Sequence, residues 1–143
     1  MAKKPTAAEA GHIKLSPQML RLGARDYFRS FLRFEHRKFS PVPFFLCCRA
    51  IELALKAMHV EGKGHHDDKL LYSHDLTECY KGLDKNQQTL SPDDTALLTA
   101  ASDVYVAKDF EYLNVVDPAT AYARFPDLNA LGDLAKKIVD DEW

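Results

Sequence analysis

The run Phe44-Phe45-Leu46-Cys47-Cys48-Arg49-Ala50-Ile51-Glu52-Leu53-Ala54-Leu55-Lys56-Ala57-Met58 is apolar round most of a helical circumference. A helix of that composition has almost no face to give to water, so it belongs in the middle of a bundle with other helices packed around it. Ser40-Pro41-Val42-Pro43 breaks the chain just ahead of it, because two prolines forbid helix continuation and set up a new start. The spacing predicts a helix from about Pro43 to Glu61. Its single narrow polar stripe is Arg49, Glu52, Lys56 and His59, at helical steps along one side.

The rest of the chain supplies the wrapping. Ser16-Pro17 reads as a cap followed by proline at the first helical position, opening a helix predicted to reach about Phe39. Leu20, Ala24, Tyr27, Phe28, Phe31 and Phe34 form its apolar side, while Arg21, Arg25, Arg29, Arg33 and Arg37 wind slowly round the other. Ser73 is read as the cap of a third helix over His74–Leu83. Ser91-Pro92-Asp93-Asp94 combines a cap, a first-turn proline and acids on the helix dipole, opening a fourth helix predicted to run to Phe110 or Tyr112. A last helix is expected from about Asp127 to Asp140, with Leu128, Leu131, Leu134, Ala135 and Ile138 inward. Asn114 to Phe125 reads as irregular, and Val115-Val116 is too short for a strand. The expectation is an all-α, up-and-down antiparallel bundle of about five helices, as a single domain over 16–143, preceded by a flexible arm over 1–15.

A chain of 143 residues can form one real core without staples, since a domain of that size buries roughly 68–70% of its unfolded surface. The formal net charge of -2 argues against bulk coating of duplex DNA, which calls for a strongly basic protein. Cys47, Cys48 and Cys79 are an odd set without paired metal-ligand spacing, and the basic Met1–Thr6 segment lacks an apolar export core. These features predict reduced thiols in a cytoplasmic protein, with no membrane span, no metal site and no cofactor.

Each polar cluster carries a plain reading beside a functional one. The Arg49, Glu52, Lys56, His59 stripe is expected to meet solvent, laced by Arg49–Glu52 and Glu52–Lys56 pairs; alternatively it ties the helix to its neighbours, or offers Arg49 and Lys56 to a phosphate. His74-Asp75 reads as a helix start, or as a titrating histidine beside a cleft. His65-His66-Asp67-Asp68 has ligand types, but adjacent side chains diverge and do not converge easily on one ion. Tyr105, Lys108, Phe110 and Tyr112 suit core or an interface, with base stacking as the functional alternative.

The segment ending Ala50-Ile51-Glu52-Leu53-Ala54-Leu55-Lys56-Ala57 resembles the central helix of HEPN domains (higher eukaryotes and prokaryotes nucleotide-binding), which read as an apolar run followed by Ala-x-Glu-Leu-x-Leu-Lys-Ala. The family then has a loop and a His-Asp-Leu step, here His74-Asp75-Leu76, and Tyr105 to Tyr112 sits where it often places an aromatic-rich end to its fourth helix. The resemblance covers roughly residues 17–113. It implies a helical homodimer that is either a metal-independent ribonuclease or a non-catalytic module for nucleotide, RNA or a partner protein, in toxin–antitoxin or defence settings.

The ribonuclease members use an arginine, four to six intervening residues and a histidine, late in the domain. This chain has no histidine after His74. Arg29 and His36 have the right spacing but lie on the first helix, where seven positions make two turns and share a face. There His36 would act as acid or base and Arg29 would stabilise developing charge. The missing late motif favours a non-catalytic binding and dimerisation module, with Arg49, Glu52, Lys56, His74, Asp75, Tyr105 and Lys108 as candidate ligand contacts. The alternatives are a ribonuclease with a displaced Arg29/His36 site and a purely structural interaction protein.

Overall fold

The computed structural model describes residues 16–35, 40–62, 71, 73–106 and 125–140. Among these, five α-helices form the fold: α1 (Pro17–Arg33), α2 (Val42–Glu61), α3 (Leu76–Lys81), α4 (Pro92–Val106) and α5 (Leu128–Asp140), with a 3-10 turn at Lys85–Gln87 between α3 and α4. The expected all-α bundle is present. One cluster of buried apolar side chains draws on all five helices.

α2 is the axis of that core. Every residue from Ala50 to Ala57 is buried. Fully burying side chains such as Ile51, Leu53 and Leu55 stabilises the fold by roughly 1.5–3 kcal/mol each. The helix starts at Val42, one residue before the predicted Pro43, because Pro41 already lies in helical conformation and its carbonyl accepts from Phe45 N at 3.1 Å. Its far end closes on Met58, whose carbonyl accepts from Gly62 N at 3.1 Å and from the Gln87 side-chain amide at 3.0 Å.

α1 lies antiparallel to α2: Arg21 near its start meets Glu61 at the end of α2, and the Tyr27 ring meets Phe45 near the beginning. Ser16 Oγ accepts from Met19 N at 3.2 Å and Pro17 opens the helix, as its sequence implies. The helix ends at Arg33 and does not reach Phe39. Phe34 is extended, with φ −69° and ψ 130°. Phe31 is the last side chain of α1 in the core; beyond it Leu32 and Arg33 are exposed, so another turn would gain no burial. Arg21 also departs from the expected outer arginine row, being buried and bound to Glu61 through two hydrogen bonds of 2.6 and 2.8 Å.

α3 begins later than its sequence suggests. Asp75, not Ser73, is the cap: its Oδ1 accepts from Glu78 N at 3.1 Å, while Ser73 Oγ accepts from Asp75 N at 3.0 Å and shapes the approach. α3 and α4 run antiparallel, joined by Leu76 to Ser102 and by Thr77 to Thr99. Ser91 caps α4 through Asp94 N at 3.1 Å, and Asp127 caps α5 through Ala130 N at 2.9 Å. Lys137 of α5 reaches Asp94 at the head of α4 at 2.8 Å. The expected continuation of α4 to Phe110 or Tyr112 lies outside the described residues, as do the 1–15 arm and Val115-Val116. No helix among the described residues is long and apolar enough to cross a membrane.

Candidate functional site: a charged cluster around Glu52

The polar stripe of α2 does not meet solvent along its length. Its helical spacing does bring Arg49, Glu52 and Lys56 into two ion pairs, but Glu52 is completely buried and Lys56 nearly so. The reason is that α4 and the segment before α3 close over this side of the helix. α4 brings Tyr105, and the pre-α3 segment brings His74, both directed at the same carboxylate.

The geometry is specific. Glu52 Oε2 accepts from Arg49 at 2.6 Å and from Lys56 Nζ at 2.8 Å. Glu52 Oε1 accepts from the Tyr105 hydroxyl at 2.7 Å and lies 3.0 Å from His74 Nδ1. Because a carboxylate only accepts, Nδ1 is the nitrogen that carries the proton in a neutral His74 ring. Around this centre, Tyr27 of α1 lies beneath Arg49, with the guanidinium 5.8 Å from its ring centre, and the His74 and Tyr105 rings meet edge to face at 6.3 Å.

The electrostatics follow from the contacts. Burial alone would raise the Glu52 carboxyl, but Lys56, His74 and Arg49 outweigh it and hold the group below its ordinary value, ionised. Burial and the neighbouring Glu52 charge push the Tyr105 hydroxyl far up, so it stays a donor. Burial works against the Arg49 charge, yet Glu52 and the Tyr105 and Tyr27 hydroxyls raise it above the ordinary value. One carboxylate is therefore shared by two basic side chains, Arg49 and Lys56, whose formal charges exceed its own by one. That excess has a way out. Side-chain exposure rises from 0% at Glu52 and 9% at Lys56 to 30% at Arg49 and 63% at His74.

Of the residues singled out from sequence, Arg49, Glu52, Lys56, His74 and Tyr105 thus come together. Tyr105 is core, as its spacing favoured, with its hydroxyl committed to Glu52 and its ring covered. Asp75 stands apart from the cluster: its Oδ1 accepts from Ser102 Oγ at 3.0 Å and from Glu78 N. Arg29 is exposed on α1, while His36 and Lys108 lie outside the described residues. The continuous helix on which Arg29 and His36 were expected to share a face ends at Arg33, with Phe34 extended. His65-His66-Asp67-Asp68 also lies outside the described residues, among which no group of three or more His, Cys, Asp or Glu is placed to hold a metal ion. A shallow crevice lined by Leu55, Lys56, His59, Leu71 and Cys79, too tight to admit a ligand, touches the cluster only through Lys56.

Sequence reasoning missed Tyr27 as a member of the site and Ser102 as its brace. Ser102 Oγ accepts from Leu76 N at 2.9 Å and donates to Asp75, fixing the segment that carries His74. A signal existed: Ser102 falls on the inward side of α4 with Leu98, Ala101 and Tyr105, where a hydroxyl needs a partner. Comparison with family models, curated proteins and solved structures finds no match to this chain.

Proposed function

We propose that this chain is a non-catalytic, HEPN-like binding module that takes a phosphate-bearing ligand, nucleotide or RNA, at the outer edge of the Glu52 cluster. The observation that carries the reading is the sharing of Glu52 Oε2 by Arg49 and Lys56, which leaves positive charge over and presents it at half-exposed Arg49. A guanidinium held in plane by a carboxylate on one edge and an aromatic ring on one face is preorganised to meet phosphate oxygens. The Glu-Leu-x-Leu-Lys pattern and the His-Asp-Leu step of the resembled family fall on Glu52, Lys56 and His74, the members of one cluster.

A binding role is favoured over hydrolysis by the state of the cluster itself. Glu52 is ionised and accepts from Tyr105, Arg49 and Lys56 with His74 beside it, so it is engaged as an acceptor and is not poised as a base. Pairing as a homodimer belongs to the same proposal and rests on the family resemblance. The cytoplasm is the compartment we assign, in keeping with three buried thiols.

The test is equilibrium binding of a fluorescent oligoribonucleotide and of a nucleoside diphosphate to the wild type and to Arg49→Gln, with helicity checked by circular dichroism. The expected result is a loss of roughly tenfold or more in affinity for the variant at unchanged helicity. Unchanged affinity removes Arg49 from the site, and shortened RNA after metal-free incubation overturns the non-catalytic reading.

A further inference from the structure

The Glu52 cluster has one member that is both outermost and titratable. His74 is anchored by Nδ1 to the carboxylate, and its side chain is 63% exposed, which leaves Nε2 as the nitrogen available to solvent. We propose that anion binding at this site is proton-linked: His74 becomes the second ligand contact, beside Arg49, only when its ring is protonated. This rests on the phosphate-binding reading above and adds its regulation.

The chemistry is set by the anchored nitrogen. With Nδ1–H donated to Glu52 Oε1, a neutral ring offers a lone pair at Nε2, which repels a phosphate oxygen. Protonation converts Nε2 into a second N–H donor and adds a positive charge without breaking the Nδ1 contact, since both nitrogens of an imidazolium donate. Ligand and proton then bind together, so each raises the affinity for the other. At a pH where the free ring is neutral, uptake of the anion draws a proton from solvent onto Nε2.

The charged and titratable groups that face His74 come from three elements. From α2 the ring faces ionised Glu52, with Arg49 and Lys56 paired on the far oxygen of the same carboxylate. From α4 it faces Tyr105, whose raised hydroxyl stays neutral. At the head of α3 it adjoins Asp75, whose carboxylate is engaged by Ser102 and Glu78 N. The ring thus meets the Glu52 carboxylate directly, with the Arg49 and Lys56 charges behind it on the other oxygen. Asp75 N–H donates to Ser73 Oγ and Ser102 Oγ donates to Asp75 Oδ1, which holds the segment beside the ring, so the new donor appears at a fixed place.

The probe is a short oligouridylate lacking terminal phosphates, because its diesters keep their charge across the range used and the titration reports the protein. Calorimetric binding at about pH 5.5 and about pH 8 should show affinity about tenfold higher at the acidic end, falling to a difference under about twofold in His74→Gln. Repeating the pH 8 titration in two buffers of different ionisation enthalpy should show net proton uptake on binding by the wild type and none by the variant. His74→Gln keeps a donor toward Glu52 at an exposed position, and circular dichroism checks its helicity. Equal wild-type affinity at both pH values, or a pH dependence retained in His74→Gln, overturns the proton linkage while leaving the anion site standing. No binding by the wild type at either pH overturns the anion site and the linkage with it.

Discussion

The Tyr105 hydroxyl donates to Glu52 Oε1 at 2.7 Å, across a separation of 53 residues. This contact joins α4 to α2 through a fully buried carboxylate, and it makes Glu52 the point where two helices and the pre-α3 segment are held together. Removing the carboxylate leaves Arg49 and Lys56 without their common acceptor. Glu52→Ala should therefore destabilise the fold by roughly 3–5 kcal/mol, and Tyr105→Phe by roughly 1–3 kcal/mol, in urea denaturation.

The same carboxylate predicts an acid response. Its folded-state value lies below the ordinary 4.5, because Lys56, His74 and Arg49 outweigh burial. A group depressed in this way contributes stability above its unfolded value, and the contribution is lost as pH falls through the folded value. Stability of the wild type should drop below about pH 4.5, and the drop should be shallower in Glu52→Gln; urea midpoints across that range measure both.

The thiols predict chemical silence. Burial pushes Cys47 up to about 12 and Cys79 up to about 11 from an ordinary 9.0, and raises Cys48 as well. Thiolate is the reactive form, so a disulfide-exchange reagent near neutral pH should label the native protein slowly, and all three sites quickly in urea. For an acid raised on folding, stability is fully present below the unfolded value and is lost as pH climbs toward the folded one. The protein should thus weaken above about pH 9, as thermal melts in alkaline buffers would record.

Gly132 sets two effects against each other. An alanine there gains about 1 kcal/mol of helix propensity in α5. Its Cβ, however, would sit 2.9 Å from Phe31 Cε2 and Cζ, atoms of a ring buried between α1 and α5. Overpacking of that kind typically costs about 1–3 kcal/mol, so the net sign for Gly132→Ala should be destabilising in a thermal melt.

Ser102 is the brace for the segment bearing His74. Ser102→Ala leaves Leu76 N without its acceptor at 2.9 Å and removes a donor from Asp75, so a loss of roughly 1–3 kcal/mol is expected in urea denaturation. Ser102→Thr, which keeps the hydroxyl, should recover much of it.

The bundle was legible in the sequence because its signals are local. Ser16-Pro17 and Ser91-Pro92 open α1 and α4 as their sequence implies, and the apolar circumference of α2 marks it as the centre of the core. The end of α1 was not legible, since Phe34 continues the aromatic spacing past the point where the core stops. The Arg49–Glu52–Lys56 ladder could be read from helical steps, but its burial depends on Tyr105 and His74 arriving from elsewhere in the chain. Arg21 and Glu61, 40 residues apart, carry no local sign of their pairing. His-Asp-Leu marked the right segment, while the division of labour within it, His74 to Glu52 and Asp75 to the cap, comes only from the turn made by Ser73.

The proposed anion site centres on Arg49 and His74. An NMR titration with the oligouridylate, following the Arg49 side-chain N–H and the His74 imidazole, locates where the anion binds. The prediction is that these two resonances show the largest shifts, saturating together, while Arg29 on the exposed face of α1 stays unmoved. Largest shifts along the α1 arginines, with Arg49 and His74 unchanged, would contradict it and return Glu52 and its partners to a purely structural role.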